Sequence, residues 1–180
     1  MSYRLLLLGE GDPRLDRELA RQLWDMTEDD GLVDTVFYDG NVASAEDFAE
    51  RALSGEAAVY AGFAEGRARP AAYAWLTHPE GGAVRVHFCF FRWSLRARLA
   101  EPLARFFLAF LLSARTPDGE PRFHAVYGLL PESNRAALAF GKRLGFRPSG
   151  YLPCGARHAR DGRVEGLVLT HLTPKELHHG

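Results

Sequence analysis

A chain of 180 residues, 47% hydrophobic and 25% charged, suits one compact domain with a sizeable core. Its most apolar run, Phe106 to Leu112, is far shorter than the ~20 residues a bilayer needs, so no membrane partner is expected. The net charge of −1 gives no dominant basic face, which argues against nucleic acid. Four leucines near the start, followed at once by acids, are too few for a signal-peptide core, and a cytoplasmic protein is expected. The charge is nevertheless uneven. Gly9 to Glu50 holds 13 acidic residues against 3 arginines, and the rest of the chain 10 acidic against 19 basic. Two readings fit. Either these are solvated faces that attract each other within the fold, or a basic body accepts an anionic ligand beside an acidic arm that draws a cationic one.

In chain order, Tyr3 to Leu8 predicts a first strand. Pro13 to Asp30 predicts a helix, with Asp12 as N-cap, Pro13 in the first position and Leu15, Leu19, Leu23 and Met26 on one face. Ser44 opens a second helix that runs to about Leu53, and the intervening Gly31 to Val42 is expected to be mobile. Ala57 to Phe63 and Ala71 to Thr77 pair around Glu65-Gly66-Arg67, and Val84 to Phe91 adds a third strand after the turn at Pro79-Glu80-Gly81-Gly82. Leu99 to Ala114 follows as an apolar helix, with Pro102 confined to its first turn, where no N–H is needed. A loop leads to the strand Phe123 to Leu130. Ser149 to His158 and Arg163 to Leu172 form a closing hairpin around Asp161-Gly162. Residues 1–173 are read as one domain and 174–180 as a tail carrying His178 and His179, which make no metal site alone. Cys89 and Cys154 make no disulfide framework, and neither has a partner at zinc-ligand spacing, so no metal is expected.

The stretch from Asn134 to Phe146, Asn-Arg-Ala-Ala-Leu-Ala-Phe-Gly-Lys-Arg-Leu-Gly-Phe, reads as a short helix between two strands. Asn134 can cap its start and Gly145 can end it as a C′ residue. This pattern, Asn-x-x-Ala-x-x-Phe-x-x-x-Leu-Gly-Phe, resembles the last helix of the GNAT N-acetyltransferases. The order of elements resembles that family over nearly the whole chain. The resemblance implies an α/β (α+β) fold: a mixed, mostly antiparallel sheet of six to seven strands with flanking helices, strands four and five splayed. It implies acetyl-CoA as co-substrate, held in the splay, and direct transfer to an amine.

By the same resemblance, Phe90 and Phe91 would offer backbone to the pantetheine. The loop of Arg92, Arg96, Ala97, Arg98, Leu99 and Ala100 would meet the pyrophosphate at a helix N-terminus, and Asn134 would help hold the CoA arm. The loop departs from the family pattern Gln/Arg-x-x-Gly-x-Gly/Ala. Its best placement is Leu95-Arg-Ala-Arg-Leu-Ala100, with Arg98 where the first glycine belongs and only the last position matching. Either Arg92, Arg96 and Arg98 grip phosphate by charge-assisted hydrogen bonds, or they are a solvated turn.

Gly141 stands where many members carry the tyrosine that protonates the departing thiolate; Tyr127 on the preceding strand is either a substitute donor or a core residue with a satisfied hydroxyl. His87 is the proton-transfer candidate on strand four, sharing a face with Cys89 and Phe91; a half-buried structural histidine is the other reading. Cys89 reads as a small core residue. The acidic arm, with Asp25, Glu28, Asp29, Asp30, Asp34 and Asp39, would suit an amine, a polyamine or a basic peptide, aided by cation–π contact from Trp24, Phe37 and Tyr38. The missing glycines and tyrosine also fit a non-catalytic module that binds CoA or a protein. The final hairpin offers an edge through which a homodimer could form.

Overall fold

The computed structural model describes residues 2–177, so His178 and His179 lie outside it. Its elements are β1 (Tyr3–Leu7), α1 (Pro13–Asp29), α2 (Val33–Val36), α3 (Ala45–Ser54), β2 (Ala58–Ala64), β3 (Ala72–Glu80), β4 (Ala83–Phe90), α4 (Arg92–Arg96), α5 (Ala100–Ser113), β5 (Ala125–Pro131), α6 (Arg135–Leu144), β6 (Arg147–Arg157), β7 (Val164–Leu172) and α7 (Pro174–Leu177). The strands form one seven-stranded sheet in the order β1-β2-β3-β4-β5-β7-β6. All neighbours run antiparallel except β4 and β5.

Local chemistry explains where the helices begin and end. Asp12 accepts a hydrogen bond from the Arg14 N–H, and Pro13 sits inside the first turn of α1. Ser44 caps α3 through the Asp47 N–H. Asn134 caps α6 by accepting from the Ala137 N–H, and Gly145 ends that helix at φ 99°. Each cap satisfies a donor or carbonyl that a helix end would otherwise leave orphaned.

Alternation along the strands divides the core in two. Cys89 and Phe91 of β4 join Tyr73 and Trp75 of β3 under α1 and α3. Val84, Val86, Phe88 and Phe90 face the opposite way, toward α5 and α6. The first layer centres on Phe48 of α3, whose ring meets Trp24, Phe37, Tyr73 and Trp75 at centroid separations of 5.0–6.2 Å.

Three expectations need correction. The segment 31–42 is not a loose loop: it holds α2, and Val36, Phe37, Tyr38 and Val42 are buried. Trp24 is therefore a core side chain with no place on an open lining, whereas Phe37 and Tyr38, though buried, each border a cavity described below. The tail begins with one helical turn, α7, whose Leu177 packs on the core and whose Glu176 accepts from the N–H and Oγ1 of Thr173. Strand β6 is the sheet edge, and Tyr151 and Leu152 on it are exposed.

Because Phe48 is fully buried among four aromatic rings, Phe48→Ala should cost about 3–5 kcal/mol of stability. Urea denaturation followed by circular dichroism measures this; a loss under 1 kcal/mol would show that α3 does not need the anchor.

Candidate active site

Only three rungs join β4 to β5: Ala83 with Ala125, Val84 with Val126 and Arg85 with Tyr127. Beyond Arg85 the two strands part. From Val86 onward the β5-facing backbone groups of β4 have no strand partner, and the same holds for β5 from Gly128 toward β4. Unpaired strand edges inside a sheet are poised to pair with an extended ligand. The rings of Phe88 and Phe90 turn to the α5–α6 side, where Phe88 meets Phe107 at 5.5 Å and Phe90 meets Phe140, on the helix that follows β5, at 5.3 Å. Trp93 is drawn elsewhere, donating from Nε1 to the Pro70 carbonyl at 2.9 Å.

The parallel pairing puts the C-terminal ends of β4 and β5 at the same end of the sheet, so the segment from Arg92 to Ala100 and the Asn134 cap both flank the fork's mouth. The backbone there is largely committed. Phe91 donates its N–H to the Ala71 carbonyl and accepts from the Ser94 and Leu95 N–H groups. Phe91 thus has no backbone left for a pantetheine, and of the expected pair only Phe90 could offer any. The Arg92 N–H donates to Asp30 Oδ2 at 2.6 Å. Those of Ala97, Arg98 and Leu99 bond to Trp93, Leu95 and Ser94. A glycine-free sequence has folded into α4 and used the donors that a phosphate loop would present. The N–H groups of Ala100 and Glu101, at the start of α5, keep no acceptor among the described residues.

Arg98 nevertheless adopts φ 57°, the left-handed conformation a glycine would supply at that position. Its side chain and those of Arg92 and Arg96 are exposed. Arg92 leans back toward α1, with Nη2 3.9 Å from where a Cβ on Gly31 would stand. Asn134 lines a cleft of about 370 Å3 with Tyr38, Ser133 and His158. Gly141 faces a groove beside Leu130 and Phe146, and a Cβ there would meet Phe146 at an ordinary 3.6 Å.

On the α1–α3 side of the fork, His87 borders a cavity of about 170 Å3 that also touches Trp75, His78 and Arg85. Burial, then the nearby charges of Arg85 and His78, push the imidazole down to about 3, so it is neutral at physiological pH. Tyr127 is half-buried beside Arg85 on the adjacent strand. Burial and Glu80 raise its hydroxyl above the usual tyrosine range while Arg85 opposes them, which keeps it a proton donor. Cys89 is buried next to Thr27 and Tyr73; burial pushes its thiol up to about 12, as suits a core residue.

Sequence patterns did not single out Arg85. It lines the His87 cavity and also a second one of about 530 Å3, bounded by Tyr38, Leu129, Arg157 and Leu167. Its Nε is buried with no hydrogen-bond partner. The acidic arm does not line these cavities as a unit. Asp39 reaches the larger one, Asp30 is spent on Arg92, and Asp34 pairs with Arg160 at 2.9 Å. Asp25, Glu28 and Asp29 stay in solvent.

The closing hairpin covers this side. The Ala159 N–H donates to the Tyr38 carbonyl at 2.7 Å, and a Cβ on Gly40 would sit 2.7 Å from that of Ala159. Glu165, almost wholly buried just after the hairpin's turn, accepts from the N–H and Oγ of Ser133 at 2.8 Å each and meets His158 Nε2 at 2.5 Å and Arg163 Nη1 at 2.8 Å. Burial works to raise its pKa, but the bonds from Ser133 and His158 and the Arg163 charge prevail and hold it at about 2.

Two outcomes are expected. Arg98→Gly should stabilise the protein by about 1 kcal/mol, because it relieves a left-handed non-glycine residue; an unchanged or lower urea midpoint would contradict this. Glu165→Gln should destabilise at neutral pH, with the deficit shrinking as pH falls. The carboxylate's contribution is complete above its ordinary value of 4.5 and fades as pH drops toward the folded value of about 2. Urea midpoints at about pH 7 and pH 3 check the sign.

No family model matches this chain, and neither does any curated protein sequence. Solved structures do match over nearly its whole length. A spermidine N-acetyltransferase from Vibrio cholerae, in complex with CoA and spermine, aligns with a TM-score of 0.67 at 12% identity, covering 97% of each chain. A probable GNAT acetyltransferase from Chromobacterium violaceum aligns at 0.73 and 17% identity, covering 98% of this chain and 85% of its own. A ribosomal L7/L12 alpha-N-protein acetyltransferase in complex with coenzyme A aligns at 0.70 and 14% identity, covering 94% and 93%. With the seven-stranded mixed sheet and the parting of β4 from β5, these matches give the chain the fold of the GNAT N-acetyltransferases.

Proposed function

We propose that the protein transfers an acyl group, acetyl being the simplest, from coenzyme A to an amine. The observation that carries this reading is the fork: two parallel strands that separate after Arg85 and Tyr127 and leave backbone groups unpaired on both sides. The β4 edge from Val86 to Phe90 would pair with the amide groups of the pantetheine arm and hold the thioester carbonyl against an N–H. That donor would take up the charge that builds on the carbonyl oxygen as the amine attacks. Holding both reactants in one fork would supply most of the rate, and the thiolate is a fair leaving group.

Proton handling falls to two side chains on the α1–α3 side. Tyr127 would donate to the departing sulfur, the role the missing tyrosine at Gly141 leaves open. His87, neutral across the physiological range, would accept a hydrogen bond from the attacking amine and pass its proton on to water. At the mouth, the exposed Arg96 and Arg98 and the free N–H groups of Ala100 and Glu101 would receive the pyrophosphate. Phosphate recognition would then rest on side-chain charge more than on a backbone cradle.

A second reading has its own observation. The N–H groups of Arg92, Ala97, Arg98 and Leu99 are all bonded within the chain, which suits a module that has given up CoA and binds a protein instead. Calorimetric titration separates the two. Acetyl-CoA and free CoA should bind in the micromolar range, and Arg98→Glu should weaken both by about tenfold, or ~1.4 kcal/mol. Absence of binding at millimolar CoA would overturn the transferase reading and favour the module.

A further inference from the structure

Arg85 is a cation in the wrong place for a structural residue. It sits on the last rung before the fork, paired across the ladder with Tyr127 and two residues before His87 on the same strand face. Among the described residues it is the one that borders both the His87 cavity and the larger one beside it, on the α1–α3 side where the acceptor would enter. Its Nε is buried and unpartnered, and it takes part in none of the ion pairs among the described residues. A buried N–H without an acceptor is costly, and an anion that takes a bond from it while pairing with the cavity-facing end of the guanidinium recovers that cost.

No carboxylate among the described residues forms an ion pair with Arg85. In the smaller cavity the acid is Glu56, already paired with Arg51. In the larger one Arg157 adds a second positive charge, and the single acid, Asp39, is an exposed rim residue that accepts from the Asn41 N–H at 3.3 Å rather than from Arg85. The Tyr38 hydroxyl feels the Arg85 charge and accepts a hydrogen bond from the guanidinium, but a neutral phenol offers no counter-charge.

We infer that the acceptor amine carries an anionic group, a carboxylate or a phosphate, that docks on Arg85 at the base of the fork. This rests on the transferase reading above. Arginine's planar pair of donors matches either group. The arrangement would hold the anion at the fork's closed end and leave the amine to reach toward the thioester. A polycation would gain nothing here and would meet Arg85 and Arg157 as repulsion.

The test uses matched acceptors with acetyl-CoA: L-phenylalanine against L-phenylalaninamide, O-phosphoethanolamine against ethanolamine, and spermine. Free CoA thiol is the readout. The anionic member of at least one pair should be preferred by about tenfold or more in kcat/KM, and which pair responds distinguishes carboxylate from phosphate. Arg85→Gln should abolish the preference while leaving the melting temperature and the Kd for acetyl-CoA unchanged, and Arg85→Lys should retain part of it. Equal or faster reaction of the neutral member in both pairs, or faster reaction of spermine than of either anionic acceptor, by the native protein would overturn the inference, as would a preference that survives Arg85→Gln.

Should acetyl-CoA bind but no acceptor turn over, calorimetry of phenylalanine and O-phosphoethanolamine on the CoA-loaded protein decides. Binding lost in Arg85→Gln supports the anion site, and no binding of either overturns it. If acetyl-CoA itself does not bind, the transferase reading fails alone, and the same two probes on the free protein decide whether Arg85 takes an anion.

Discussion

Everything near the candidate site depends on where the parallel pairing of β4 with β5 stops. Three rungs hold the sheet together; had the ladder continued, the backbone groups beyond Arg85 would be spent on each other and the fold would be a closed sheet with no cleft. The separation is held on one side by rings, with Phe88 and Phe90 of β4 turned onto Phe107 of α5 and Phe140 of α6. On the other side Tyr38, Leu129, Ala156 and Leu167 form a small apolar cluster under the closing hairpin. The fork is therefore a gap between two packed faces, and its polar edges are the feature that the packing leaves unsatisfied.

The second theme is how an uneven charge distribution is resolved. Part of the acidic first third is neutralised locally: Glu46 bridges Arg17 and Arg21, and Asp47 pairs with Arg51. Another part reaches across the fold, with Asp34 on Arg160 and Asp30 on the Arg92 N–H. Most of these partners are exposed, so each contributes little to stability. Their effect is on what remains. Once these acids are engaged, Arg85 and Arg157 line the larger cavity with no ion pair among the described residues, against Asp39 alone, so the cavity lacks the negative lining that the acidic arm suggests.

The parts of the fold that were legible in the sequence are those set by local chemistry. Asp12-Pro13, Ser44, and the Asn134 to Gly145 pair each satisfy a helix end with residues a few positions apart, and a reader of the chain can see them. Gly31 and Gly40 bracket a segment that looks like a loop, yet Val36, Phe37 and Tyr38 between them are buried by α1, β3 and the hairpin, a tertiary effect invisible in a local pattern. The helix α4 was also missed. Comparison with a glycine-bearing loop drew attention to what Arg98 lacked, although the stretch from Arg92 to Arg96 contains no glycine or proline to interrupt a helix. Arg85 was overlooked for a different reason: an arginine alternating with valines reads as the solvent face of a strand, and only the hairpin and α2 turn that face inward.

The contact that closes the acceptor side has an unusual balance between shape and strength. Gly40 and Ala159 approach so closely that a single added carbon would collide, so the fit between the hairpin tip and the segment after α2 is tight. Yet the direct bonds are few: one from the Ala159 N–H to the Tyr38 carbonyl and one exposed ion pair, Arg160 with Asp34. Together these bonds are worth on the order of 1–2 kcal/mol. The rest of the hold is apolar: Tyr38 packs with Ala156, Leu167 and Leu129, and its ring lies 5.5 Å from that of His158. Contact of this kind depends on shape, so one carbon added at Gly40 would disturb it more than the loss of either bond.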